Sequence, residues 1–443
     1  MLTRACLSLA LLVAVTPAWC QVDANGTAPS NPTNDTPMLT PPPVSGQNYP
    51  SAPTSETRSN YLRYGLTFNT AYSDNMSGSI SGSPMSDVSY SLWPTIALDK
   101  TTSTLHSVLT YSPGFTFYQR TSGRNEADQN VSIDVHYRMT PHLTLSARDG
   151  FQKSSSVFNQ PDLGSGGVSG GGQGSNGSAI APFADLLHNS GNGGVTYQFA
   201  ANGMVGASGT FSNLHYPNPA EVPGLFDSSS QAGSVFYSLR ATRMHYFGVT
   251  YQYQRLVSYL TEGQNETQTH AFLFFYTLYA TPSLSFSFFG GPQHSNTAQP
   301  PLPPALAWNP SVGASLGWQG SLSSMAVSYS HGISGGGGLS GAVRMDSASA
   351  SVQRTITRSL TGSISGAYVQ NDVLSSVFSG GNNGHTVSGT ASLQKQFGEH
   401  ISLQFGYSRL HQSYSNVEVL ATTPDTNREF VSVSYQFSRP LGR

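Results

Sequence analysis

Apolar and polar residues alternate along most of this chain. The stretch ISLQFGYSRL sets Ile401, Leu403, Phe405 and Tyr407 against Ser402, Gln404, Gly406 and Ser408. Near the C-terminus VSVSYQF repeats the pattern, with Val431, Val433, Tyr435 and Phe437 against Ser432, Ser434 and Gln436. In NVSIDVHYRM, Val131, Ile133, Val135 and Tyr137 oppose Ser132, Asp134, His136 and Arg138. A period of two puts successive side chains on opposite faces of a β-strand. HAFLFFYTLY (270–279) is apolar on both faces; it is too short to cross a bilayer as a helix but has the length of a membrane-crossing strand.

The connections are patterned as well. Short turns are expected at 99–103, 140–142, 200–203, 242–244, 280–283, 319–321, 357–359 and 398–400, and longer Gly-, Ser- and Asn-rich stretches lie between them. The longest runs over 154–185. Short and long connectors alternate in a unit of roughly 40 residues, which gives about eighteen strands and both chain ends on the short-turn side. The segments 61–72 and 342–356 alternate less cleanly.

The first sixty residues are different. Arg4, an apolar run over 5–15, then Pro17 and Ala18 give residues 1–20 the layout of a signal peptide, with cleavage after Ala18 or Cys20. Residues 21–59 are rich in Pro, Thr and Asn and nearly free of aromatics. Such a segment cannot bury enough apolar surface to offset its ordering entropy, so a disordered tail is expected there, followed by the folded region at 60–443.

Composition narrows the architecture. Only 9% of the 443 residues are charged, against roughly 25% in ordinary soluble domains. The net charge of −2 argues against nucleic acid, which requires a basic face. The two cysteines, Cys6 and Cys20, lie in or beside the leader, so no internal disulfide and no Cys-based chemistry is expected. Propeller blades hold four short strands, and sandwich strands are shorter and more charged than these. A closed, antiparallel, up-and-down transmembrane β-barrel fits best. Its apolar face meets lipid, its small polar residues face the lumen, short turns lie on the periplasmic side and long loops outside. Tyr111, Tyr118, Tyr246, Tyr251, Tyr253, Tyr279, Tyr407, Tyr414 and Tyr435 fall near strand borders, where interfacial aromatics are expected.

The turn-led units MTPHLTLSARDGF, ATPSLSFSFFGGP, ITRSLTGSISGAYVQND and FGEHISLQFGYSRLHQS, with the closing VSVSYQF, resemble the bacterial outer-membrane β-barrel porin family over residues 60–438. The closing strand is similar to the C-terminal signal of that family, although SRPLGR follows Phe437 here. The resemblance implies an all-β transmembrane barrel in the bacterial outer membrane. It also implies outer-membrane lipid as surroundings and the barrel-assembly machinery as a partner during biogenesis. A homo-oligomer is left open.

No chemistry of an enzyme stands out. There is no G-x-S-x-G, H-E-x-x-H or phosphate-loop motif. GSGGVSGGGQGSNG (164–177) lacks the Lys-Ser/Thr of a phosphate loop and reads as a flexible external loop. His136, His142, His188, His270 and His400 are scattered and are expected at the lumen wall or strand ends. No catalytic residue, cofactor or metal site is expected. The residues that could carry function are charges inside strands: by alternation Asp134, His136, Arg138, Arg148 and Arg240 face inward, and Arg344 and Asp346 are placed with them. Such groups either tune selectivity in a pore or brace its wall. The expected function is a passive pore for small polar solutes or oligosaccharides. The alternative is a non-conducting surface anchor or a component of a polysaccharide export or assembly system.

Overall fold

The computed structural model describes residues 60–75, 85–154, 185–261, 263–301, 303–374, 383–415, 417 and 425–441. The expected signal peptide over 1–20, the expected tail over 21–59, both cysteines and residues 155–184 of the longest expected loop lie outside them. Eighteen strands follow one another: β1 (Tyr61–Ser73), β2 (Asp87–Thr101), β3 (Leu105–Tyr118), β4 (Glu126–Arg138), β5 (Leu143–Ser154), β6 (Leu186–Ala200), β7 (Gly203–His215), β8 (Asp227–Arg240) and β9 (His245–Leu260) form the first half. The second half is β10 (Gly263–Thr281), β11 (Leu284–Ala298), β12 (Ala305–Gln319), β13 (Ser323–Gly335), β14 (Ala342–Thr357), β15 (Leu360–Val373), β16 (Gly384–Phe397), β17 (Ile401–Tyr414) and β18 (Asp425–Pro440). Each strand pairs antiparallel with its neighbours in sequence, and β18 pairs with β1, from Tyr61↔Pro440 to Ser73↔Arg428. Closure leaves no strand edge for a medium that cannot hydrogen-bond it.

All eight expected short turns are present at one end. Three of them share a local cause. The hydroxyls of Thr102, Thr140 and Thr242 accept the backbone N–H of Leu105, Leu143 and His245 at 2.9, 3.0 and 3.1 Å, so one side chain closes each turn. A fourth turn, between β16 and β17, has Gly398 at φ +65°, a region open to glycine. At the opposite end the connections are longer with one exception. Only residues 261 and 262 join β9 to β10. A long loop is expected there, but the polar GQNETQT continues the ladder instead, and Arg255 on β9 forks onto Glu266 on β10 at 3.0 and 2.8 Å.

Alternation sorts the wall into two faces. Outward lie large apolar side chains such as Phe274 (58% exposed), Ile364 and Phe405. Inward lie Ser, Thr, Asn and Gln. The both-faced β10 follows from this: Phe272 and Phe274 point out, while Ala271, Leu273 and Phe275 are buried on the inner side beside Phe289. There Phe275 lies across Gly248, whose missing side chain leaves room for the ring. Of the border tyrosines, Tyr111, Tyr251, Tyr407 and Tyr435 project outward. Tyr118, Tyr246, Tyr279 and Tyr414 instead face the lumen, where the first bonds Glu126, the next two pack together and the last bonds Asn371 and Thr386. An outward carboxylate in mid-strand breaks the pattern. Asp149 sits in mid-strand opposite Ile133 and Gly191, and its Oδ1 has no hydrogen-bond partner among the described residues.

Candidate functional site: the lumen wall and its crossbar

The charged side chains expected in the lumen separate into three groups. Asp134, His136 and Arg148 come together on the inner face of β4 and β5. His136 Nε2 is 3.1 Å from Asp134 Oδ1, and Arg148 Nε is 3.7 Å from Asp134 Oδ2. Arg138 and Arg240 also face inward, at the short-turn rim, where their guanidinium groups donate to the carbonyls of Ser103 (2.8 Å) and Ala201 (2.6 Å).

Arg344 and Asp346 are not in the lumen. They lie on the face of β14 opposite to Val343 and Met345, in register with Ile333 and His331 on β13 and with Asp372 and Gln370 on β15. Arg344 pairs with Asp372 at 3.3 Å, and Asp346 accepts from Tyr329 and His331 at 2.8 Å each. The expectation failed because the inward residues here, Val343 and Met345, are themselves apolar and buried. His270 likewise faces outward, bonded to the Tyr251 hydroxyl at 2.8 Å.

Three residues that the sequence did not single out complete the inner group. Arg63 on β1 bonds Asp99 on β2 at 3.3 Å, and His106 on β3 is 3.5 Å from the same carboxylate. The imidazoles of His106 and His136 then stack with centroids 6.4 Å apart. One continuous row results: Arg63, Asp99, His106, His136, Asp134, Arg148, across five adjacent strands. The row crosses β1–β4 near the short-turn end and reaches a little deeper at β5. Arg63 lies in a weakly patterned segment, and Asp99 falls where a turn was expected. The signal for Arg63 was its opposition to Leu62, Tyr64 and Leu66.

The other end of the lumen is bridged. The connection 216–226 between β7 and β8 meets the connection 336–341 between β13 and β14, and the Phe226 N–H donates to the Gly338 carbonyl at 2.7 Å. Tyr216, Val222, Leu225 and Leu339 pack with inward residues of β7, β14, β15 and β17 (Leu214, Val343, Met345, Val369 and Tyr414), and Leu186 of β6 lies against them. In the closed order, seven steps separate β7 from β14 and seven separate β17 from β6, so this apolar crossbar spans the barrel. Leu339 is 0% exposed. Burial, with Asp227 beside it, pushes the Tyr216 phenol above its ordinary range. On one side of the crossbar, Leu256 of β9 packs with Ile333 and Ala342, and Asn265 Nδ2 donates to the Ser340 carbonyl at 3.3 Å. The section of lumen on the other side is bounded by β18 and β1–β5, the wall that carries the charged row.

Among the described residues no group of three or more His, Cys, Asp or Glu is set to hold a metal ion. The closed wall, apolar exterior and polar interior define a transmembrane β-barrel. No family model and no curated protein matches the chain. Among solved structures it is similar to OpdK of Pseudomonas aeruginosa with vanillate, at 9% identity over 85% of this chain and 99% of that chain, with a TM-score of 0.41. It is also similar to OccAB4 of Acinetobacter baumannii (8% identity, 87% and 100% covered, TM-score 0.41). OccK2 (OpdF) of Pseudomonas aeruginosa in complex with glucuronate is a third (10% identity, 85% and 98% covered, TM-score 0.41). Likeness at that level carries no functional weight.

Proposed function

We propose that the chain is a bacterial outer-membrane pore that passes small polar solutes along the wall formed by β18 and β1–β5. The observation that carries this reading is the combination of a closed eighteen-strand wall with an apolar crossbar set to one side of a polar lumen. A barrel of this strand number encloses an aqueous channel unless something fills it. Both chain ends and the short turns face the periplasm in this reading, and the longer connections face outward. Side-by-side association of barrels fits the outer face of β6–β8, where Gly193, Gly209 and Gly233 lie abreast near Asp149. Recordings of the refolded full chain in planar bilayers test the pore: discrete conductance steps are expected, and a flat trace overturns it.

The crossbar also favours a second reading, a closed barrel serving as an anchor or as part of a polysaccharide export system, with residues 21–59 docking a periplasmic partner. A flat trace together with a partner that co-purifies only when the tail is present would establish that reading instead.

A further inference from the structure

We infer that His106 and His136 make the ion preference of this passage depend on protons, favouring small carboxylate or phosphate solutes under acid conditions. The inference rests on the open-pore reading. Its basis is the placement of two imidazoles in the middle of an otherwise balanced row. Arg63 and Arg148 end the row, Asp99 and Asp134 offset them, and the histidines stand between the two carboxylates. With neutral imidazoles the six residues sum to zero charge; with both protonated they sum to +2.

The surroundings do not cancel that change. The strand on the far side of β1 is β18, whose inward residues at this level, Gln436, Ser438 and Pro440, are uncharged. The other charged group nearby on β4 is Arg138, which is positive and donates to the Ser103 carbonyl. Imidazole is the side chain whose charge ordinarily changes between about pH 5 and pH 8. The sequence has twelve histidines, all at described positions. Of these only His106, His136 and His188 face the lumen. His188 is buried at the crossbar end, bonded to Ser212 at 3.1 Å, and so is withdrawn from the passage. A charge pair that solutes must pass tunes selectivity directly, as charged rings do in other pores.

The experiment is a reversal-potential measurement on the refolded full chain across a potassium chloride gradient, at about pH 7.5 and about pH 5.5. The chloride-to-potassium permeability ratio is expected to rise about threefold on acidification, because fixed charges lining a pore tune its selectivity. The double variant His106→Gln/His136→Gln should lose that rise, while His188→Gln and His270→Gln should keep it together with the native conductance. Each single variant, His106→Gln and His136→Gln, should lose part of the rise, which covers the case in which the double variant does not fold. An unchanged ratio in the native chain, or a full rise persisting in the histidine variants, overturns the inference. No conductance at either pH overturns the pore reading itself, a different and separable failure.

Discussion

The two halves of the lumen wall are built from the same strand geometry and carry opposite chemistry. On β1–β6 the inward positions hold Arg63, Asp87, Asp99, His106, Glu126, Asp128, Asp134, Arg148 and their neighbours. Across β10–β17 every described inward position is uncharged. Hydroxyls pair across neighbouring strands there, as in Ser328–Ser349 at 2.7 Å, Ser363–Ser392 at 2.8 Å and Thr390–Ser408 at 3.1 Å. Each such bond contributes on the order of 1 kcal/mol and needs no counter-ion. The charged wall must satisfy its groups with one another, which ties residues on five strands into a single arrangement. One end of the crossbar rests on the uncharged strands β14, β15 and β17 and the other on β6 and β7; in the proposed pore the charged strands β1–β5 border the passage. Under the proposed function, bracing and selectivity then fall to different parts of one cylinder.

The most drastic way to break this division is to remove the crossbar. Replacing residues 217–225 by a short Gly-Ser link should raise single-channel conductance about threefold, because an eighteen-strand barrel without infolded loops leaves a wide channel. An unchanged conductance would mean that the crossbar does not set the bore. A smaller effect is expected from the charges. Arg63→Gln with Arg148→Gln should move the reversal potential toward cation preference, whereas Gln404→Ala on the uncharged side should leave it in place. Equal shifts from both would erase the distinction between the walls. The smallest effect concerns the outer face. Asp149→Leu removes a carboxylate from the lipid side and should raise stability in denaturant titrations of the folded barrel by about 1 kcal/mol. A loss of stability would show that Asp149 has a partner in the membrane.

Much of this architecture was legible in the chain, and the reasons are specific. Each expected short turn appears, because local cues such as Thr102, Thr140, Thr242 and Gly398 act within a few residues. Strand faces were readable where the outer set is apolar and the inner set polar, as in β17 and β18. Reading failed where the inner side is also apolar: Val343 and Met345 belong to the crossbar, and their presence sent Arg344 and Asp346 to the wrong face. The charged row was only half visible, since its members from Arg63 to Arg148 are aligned through register across five strands and no local pattern encodes that. A hint of the crossbar did exist in Tyr216, Val222, Leu225 and Leu339, apolar residues set in otherwise polar connections.

The pairing of β18 with β1 has a consequence for the order of events in making this protein. Tyr61 and Pro440 are register partners at one end of a thirteen-residue match, yet they stand at the two extremes of the folded chain. Contacts of such separation form late, because the loop-closure entropy of everything between them must be met first. Until then, β1 and β18 each present an open edge of backbone donors and acceptors, and each is a template onto which another strand can add. Those edges must be shielded until the last hairpin arrives, so the cylinder has a vulnerable interval during biogenesis. That interval ends only when β18, which runs past Phe437 as far as Pro440, zips onto β1.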